Sequence, residues 1–439
     1  MDSVALMRVA RRVGALSGVE AAALMIGTPA NKAMLRDSGL LESEAAAATA
    51  NDLILAVRAS EERVALNALE SAQQFLSDKP VDEQRLPHVR TLAGALDMLP
   101  GANLALISVP GEFAAQEARK ALERGLHVFL FSDNVAIDEE VKLKRLANDK
   151  GLFLMGPDCG TALIAGTPLG FANAVPRGDI GIVSASGTGL QEVATLIARL
   201  GGGISHGIGV GGRDLDARVG GLAMLVALEA LESDAGTAKI VLISKPPAPE
   251  IAEHVLERVR QLRKPVIPCF LDSTLREAAE RAMNRKIEWT NRPSAPKHRG
   301  KVIGLYCGGT LCSEAERIVR SRGVESSFTD LGEDRYTRAR PHPMIEPELR
   351  NEHLKAALSD PAVSVILVDV VLGYGAHEDP AGVLVQGLKR SDKMIIASVT
   401  GTDADPQNRS RQVAILENAG VIVAPSNAHA AELAAEVAG

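Results

Sequence analysis

GIVSASGTGLQEVATLIARLGGGISHGIGVGGRD (181–214) and GLYCGGTLCSEAERIVRSRGVESSFTDLGEDR (304–335) are two versions of one pattern. Each reads as an apolar strand, a turn of Ser, Gly and Thr, and a helix with a glutamate four residues after the threonine (Glu192, Glu314). Gly201 or Gly323 then closes the helix, and a second strand ends in a loop of Gly, Asp and Arg. A strand that turns directly into an amphipathic helix is the unit of a parallel sheet. Two tandem copies mark an internal duplication.

Runs of the same kind flank and fill the repeat: ANLALISV (102–109), LHVFLFS (126–132), LFLMG (152–156), DIGIVSAS (179–186), KIVLIS (239–244), KPVIPCFL (264–271), KVIGLYC (301–307), SVILVDVV (364–371), KMIIASVT (393–400) and VIVAP (421–425). Unbroken apolar runs without alternation are the mark of strands buried on both faces, and stretches of helical period separate them. The fold class expected is α/β, tandem doubly wound domains behind a small N-terminal α+β domain. Segments rich in Pro, Gly or charge at 76–88, 164–179 and 288–300 read as joints. They divide the chain into 1–78, 79–175, 176–292 and 299–439. The first part reads helix, strand, helix, strand, helix, without an opening strand.

Composition narrows the function. The 439 residues are 46% hydrophobic, 3% aromatic and 23% charged, with a net charge of −7, so the chain folds and is no polyanion binder. Neither nucleic acid nor a membrane is an expected partner; a small anionic substrate, further protein subunits or a second copy of the chain are. Cys159, Cys269, Cys307 and Cys312 form no zinc-type spacing, so reduced thiols, no metal and a cytoplasmic location are expected. The charged N-terminus lacks a signal-peptide core, and no run of 18 apolar residues occurs.

Each candidate motif has a structural alternative. Ser184, Ser186, Gly187, Thr188 and Gly189 in SASGTG, and Gly308, Gly309 and Thr310 in CGGTLCS, stand where a strand becomes a helix. Unpaired N–H groups and the positive helix end make such a turn an anion site; the same residues also serve as N-caps and tight turns. Two such turns face to face would hold one phosphoryl group. GxGxxG and GxxxxGK[ST] are absent, so no nucleotide loop is indicated. MGPDCGT (155–161) offers Asp158 at a sheet edge or is a plain turn. RYTRARPHPMIEP (335–347) offers Arg335, Arg340 and His342 for a substrate anion and proton transfer, or a solvated loop. Arg213 in GGRDLDARVGG and Lys245 in SKPP complete the substrate-binding candidates. MIGTPANKAML (25–35) reads as a Thr28 N-cap followed by Pro29.

Residues 85–290, with NLALISVPGEFAAQEARKALERGLHVFLFSDNV, GPDCG and GIVSASGTGLQEV in order, resemble the α subunit of succinyl-CoA synthetase. Residues 301–439 resemble the C-terminal domain of its β subunit through CGGTLCSEAERIV. The whole chain, with MIGTPANKAML, FSDNV, MGPDCGT, IGVGGRDL, SKPP, DLG, RPHPMI and VTGTDADPQ, looks most like the FdrA family. The resemblance implies a Rossmann-like domain at 79–175 and flavodoxin-like domains at 176–292 and 299–439. It also implies that the helices opening near Ser186 and Gly308 face a phosphate.

Two departures stand out. The catalytic histidine of the resembled enzyme lies in a GHAGA-type segment after the strand matching KPVIPCFL, and residues 255–297 contain no His. The ATP-grasp half is also absent, and the first half of the CoA-binding Rossmann domain, with its Gly-rich loop, is replaced by 1–78; FdrA-like chains often extend further at both ends, so the missing opening strand implies a shortened or alternatively started chain. The resemblance therefore implies a subunit that moves an acyl or carbamoyl group to or from phosphate, of the oxamate carbamoyltransferase type in allantoin breakdown. Phosphate or an acyl or carbamoyl phosphate would be its ligand. The alternatives are an ADP-forming acyl-CoA ligase, using CoA with a nucleotide domain from a partner, and a non-catalytic scaffold.

Overall fold

The computed structural model describes residues 3–14, 16–49, 52–77, 89–270, 273–290, 292–293, 298–337, 341–388 and 393–439, in two units, Met1–Arg90 and Thr91–Gly439. In the first unit α1 (Ser3–Gly14), β1 (Val19–Ile26), α2 (Pro29–Asp37), α3 (Ser43–Ala47), β2 (Leu53–Ala59) and α4 (Glu62–Ser77) follow one another. The two strands pair antiparallel. Alternate strand residues face opposite ways. Ala22, Leu24, Leu55 and Val57 pack with Leu6, Val9 and Val13 of α1 and Ala68 and Ala72 of α4. Ala21, Ala23, Met25, Ile54 and Ala56 meet Leu35 of α2 and Leu40. The expected order is present, with the short α3 added.

The second unit begins with α5 (Leu92–Met98), β3 (Leu104–Ile107), α6 (Gly111–Glu123), β4 (His127–Leu130), α7 (Ile137–Asp149) and β5 (Leu154–Met155), a three-stranded parallel sheet in the order β3-β4-β5. A hairpin, β6 (Thr161–Ile164) and β7 (Thr167–Gly170), leads into the first copy of the repeat. That copy holds β8 (Arg177–Ser184), α8 (Gly187–Arg199), β9 (Ile204–Gly209), α9 (Leu222–Ser233), β10 (Lys239–Ile243), α10 (Pro249–Arg260), β11 (Val266–Cys269) and α11 (Leu275–Met283). Its sheet runs β11-β10-β8-β9-β6-β7. The expected boundary at 175/176 therefore cuts one sheet, because the hairpin inside the presumed joint pairs with β9.

The second copy holds β12 (Lys301–Tyr306), α12 (Gly309–Ser321), β13 (Ser326–Asp330), α13 (Asp334–Thr337), α14 (Glu348–Ser359), β14 (Val363–Val371), α15 (Pro380–Gly387), β15 (Met394–Thr400), α16 (Arg409–Asn418), β16 (Ile422–Ala424) and α17 (Asn427–Ala438), in the order β13-β12-β14-β15-β16. Both copies thus run second, first, third, fourth strand. In each, the chain reverses direction across the sheet beside the first strand, where α/β folds gather their ligands. Every residue of β14 is buried, which is why SVILVDVV is apolar apart from Ser364 and Asp369. Burying each such Val, Leu or Ile contributes about 1.5–3 kcal/mol.

One core joins the copies. Leu190, Val193 and Ile197 of α8, Ala278 and Ala282 of α11, Leu311, Ala315 and Val319 of α12, and Ala430, Ala434 and Val437 of α17 belong to it. The repeat glutamates lock it crosswise. Glu314, on α12, accepts the N–H of Leu275, the first residue of α11, at 2.6 Å. Glu192, on α8, accepts the N–H of Asn427, the first residue of α17, at 3.1 Å, and the Thr400 hydroxyl at 2.5 Å. Each buried carboxylate therefore meets the positive end of a helix from the other copy. Asn427 Nδ2 closes the arrangement on Glu314 at 2.7 Å.

Candidate functional site

The crosswise lock brings the two Ser/Gly/Thr turns into contact. A Cβ placed on Gly308 would lie 2.9 Å from Oγ1 and Cγ2 of Thr188, so the second turn requires glycine to approach the first. Lys245, at the end of β10, reaches across from the first copy: its Nζ is 3.2 Å from the Cβ position of Gly309. Asp330, the last residue of β13, lies on the same point, with Oδ2 at 2.4 Å. The cleft between the α8 and α12 N-termini is thus flanked by one lysine and one carboxylate.

The turn before α8 is held by hydroxyls. Ser186 is the N-cap, its Oγ accepting the Gly189 N–H at 2.9 Å. Ser184, 1% exposed, donates to the Ser186 carbonyl at 2.7 Å and accepts the Ser186 N–H at 3.0 Å. Both serines and the Gly189 N–H are therefore engaged within the turn, as the capping alternative has it. Gly187 and Thr188 open the helix, where N–H groups have no intrahelical acceptor.

The turn before α12 is held by a carboxylate. Asp369 accepts the N–H groups of Cys307 and Gly308, each at 2.8 Å, so Gly308 supplies close approach and not a donor. Asp369 itself faces Arg350 at 3.3 Å, both side chains buried. Arg350 also donates to the Asp369 carbonyl at 2.5 Å and to Cys307 Sγ. Burial raises the Asp369 carboxyl against the lowering pull of Arg350. Gly309 and Thr310 open α12, whose first-turn N–H groups have no intrahelical acceptor and no side-chain cap. Asp330 anchors Oδ1 on the Gly332 N–H at 2.9 Å, and burial pushes its carboxyl up to about 6.

His342 joins this group. Its Nε2 is 2.7 Å from the Cβ position of Gly332, which Asp330 Oδ1 also borders. Its Nδ1 accepts the Met344 N–H at 3.2 Å, and its ring tilts against Phe171. Burial lowers its pKa to about 4. It is a neutral imidazole with the proton on Nε2, suited to donating a hydrogen bond and not to shuttling a proton near neutrality.

The other candidates are elsewhere. Arg335 is exposed, paired with Glu333 at 2.9 Å and stacked on Tyr336. Arg340 lies outside the described residues. Arg213 pairs with the buried Glu140 at 2.8 Å and donates to the Val135 carbonyl at 2.8 Å, which ties it to a structural network with Lys144 and Asp214. Asp158 lies beside Gly212, on a turn whose far end, Gly160–Thr161, borders Gly187. Cys159 is buried and its thiol is pushed up to about 12 by desolvation, so it is no nucleophile. Asp330 and Asp369 were missed. Their signals were the DLG triplet closing the second repeat and the one carboxylate inside an apolar strand.

Residues 305–437 match the CoA-ligase family, and residues 1–89 match the AllF, heavy metal-associated domain. Residues 1–89 contain no Cys and a single His, His88. Among the described residues no group of three His, Cys, Asp or Glu could hold an ion. No helix among them is long and apolar enough to cross a membrane. The α subunit 2 of ADP-forming succinate–CoA ligase from Archaeoglobus fulgidus is 31% identical over 38% of this chain and 58% of its own. A solved acetyl-coenzyme A synthetase 1 from Ca. Korarchaeum cryptofilum superposes with a TM-score of 0.32 at 16% identity, covering 76% of this chain and 82% of that one. The protein YahF of Escherichia coli K12 is 40% identical over 99% of this chain and 96% of its own length. On that match the chain belongs to the YahF family, and the CoA-ligase match over residues 305–437 together with the likeness to the succinate–CoA ligase α subunit supports a place among succinyl-CoA synthetase-like acyl-CoA ligases.

Proposed function

We propose that this chain moves an acyl or carbamoyl group to or from phosphate, as an FdrA-like subunit of the oxamate carbamoyltransferase type in allantoin breakdown. The observation that carries the reading is the contact between Thr188 and Gly308, which sets two helix N-termini on one cleft. Phosphoryl oxygens would take N–H groups from Gly187 and Thr188 on one side and Gly309 and Thr310 on the other, with the Lys245 ammonium neutralising charge. The same donors would steady the oxyanion that develops when a phosphate oxygen attacks the carbamoyl carbonyl carbon, before the carbon–nitrogen bond to oxamate breaks and oxamate leaves with a proton on its nitrogen. Nε2–H of His342 would orient the substrate, and Arg340 would hold its second anionic group. Nothing in this chemistry requires a phosphohistidine or a nucleotide, in keeping with the absence of His from 255 to 297.

Calorimetric titration with phosphate, carbamoyl phosphate, CoA and ATP, each alone, tests the reading. Micromolar binding of phosphate or carbamoyl phosphate supports it. The Gly308→Ala variant, whose new methyl meets Thr188, should bind about tenfold more weakly or worse, a loss of about 1.4 kcal/mol. The likeness to succinate–CoA ligase and the CoA-ligase match favour a second reading, an ADP-forming acyl-CoA ligase completed by a partner's nucleotide domain. CoA binding in the absence of phosphate would establish that one instead. In either case further subunits are the proposed partners.

A further inference from the structure

An anion entering the cleft meets Asp330. Its Oδ2 and Lys245 Nζ lie 2.4 and 3.2 Å from the Cβ position of Gly309, and Lys245 acts on Asp330 through charge. The carboxylate has little freedom to leave. Oδ1 is fixed on the Gly332 N–H. The backbone is fixed by pairing with Tyr306 and by the Leu331 N–H on the Tyr306 carbonyl at 2.7 Å. A phosphoryl dianion beside an ionised, immobile carboxylate is repelled at the range where the helix ends attract it.

We propose that Asp330 is a specificity-determining residue of this cleft, entering the anion-bound state with a proton on Oδ2 and donating it in a hydrogen bond to a phosphoryl oxygen. This rests on the anion-binding reading above. The cleft then takes up one proton with each anion, and it selects groups that present an acceptor oxygen to Asp330 while another meets Lys245. The carboxyl lies within reach of protonation, since burial already holds it at about 6. The groups facing Asp330 are Lys245 from the end of β10, Asp369 from β14, Glu333 from the following loop, Cys307 and Cys312 from the start of α12, and His342 across Gly332. Of these, Cys307 is pushed up to about 12 and His342 down to about 4.

The test uses the full chain and inorganic sulfate, a phosphoryl mimic that does not itself titrate near neutrality. Wild-type affinity should fall about tenfold between pH 7 and pH 8, the slope of one linked proton. The Asp330→Asn variant should lose that slope and bind sulfate more tightly than wild type at pH 8. Lys245→Met should weaken binding while keeping the slope. Should Asp330→Asn fail to fold, wild-type titration at pH 7.5 in two buffers of different ionisation enthalpy should show close to one proton taken up per sulfate. Sulfate binding with equal slopes in wild type and Asp330→Asn, or with no proton uptake, overturns this inference alone. Absence of both sulfate and phosphate binding at every pH overturns the functional reading and this inference with it.

Discussion

The turn before α8 is closed by two serine hydroxyls, whereas the corresponding turn before α12 is closed by Asp369, with Asp330 beside it. One duplicated backbone therefore has its turn tied by neutral hydroxyls in the first copy and by a carboxylate in the second. Ser186 caps the α8 end directly; Asp369 bonds the N–H groups just ahead of α12, whose own first turn has no side-chain cap. Both helix ends offer first-turn N–H groups to an anion, and the first copy adds Lys245. The second supplies shape, through Gly308, and a titrating group, through Asp330.

Removing the buried Asp369 carboxylate should break this asymmetry most severely. Asp369→Ala leaves the Cys307 and Gly308 N–H groups without their acceptor and Arg350 as an unpaired buried charge. A loss of about 3–5 kcal/mol in urea unfolding is expected. The crosswise glutamates give the next effect. Desolvation by burial, aided by nearby Glu192, pushes the Glu314 carboxyl up to about 7 from an ordinary 4.5. The folded chain then binds more protons than the unfolded one between those values, so this group's contribution to stability falls as pH rises from about 4.5 to about 7. Glu314→Gln should flatten the dependence by an amount on the order of 2 kcal/mol, read from unfolding curves at pH 5 and pH 7.5. The neutral cap gives the smallest effect: Ser186→Ala should cost about 1 kcal/mol in the same assay. A cost at Ser186 equal to that at Asp369 would erase the distinction between the copies.

The sheets were readable because strands buried on both faces cannot alternate. Each of the ten apolar runs became a parallel strand. The β6–β7 hairpin escaped because its two-residue turn is Ala165–Gly166, both at positive φ, where Asn-Gly or Asp-Gly would have announced it. Thr28 and Pro29 open α2 as expected, with the Thr28 hydroxyl accepting the Asn31 N–H at 3.2 Å. At the site, the repeat showed two equivalent turns, and the resemblance implied that their helices face one phosphate. The engagement of Arg213 with Glu140, of Arg335 with Glu333, and of Gly308 with Asp369 did not, because each depends on a neighbour that spacing along the chain cannot weigh. The repeat glutamates were visible as a pattern, but their part as caps on the opposite copy's helices emerges only from packing.

The central claim is that one anion sits between the N-termini of α8 and α12. Anomalous diffraction from crystals soaked in selenate locates such an anion directly. A single strong peak within hydrogen-bonding distance of the first-turn N–H groups of both helices, beside Lys245, is the result expected. A peak at another place with this cleft empty, or no peak at saturating selenate, would contradict it.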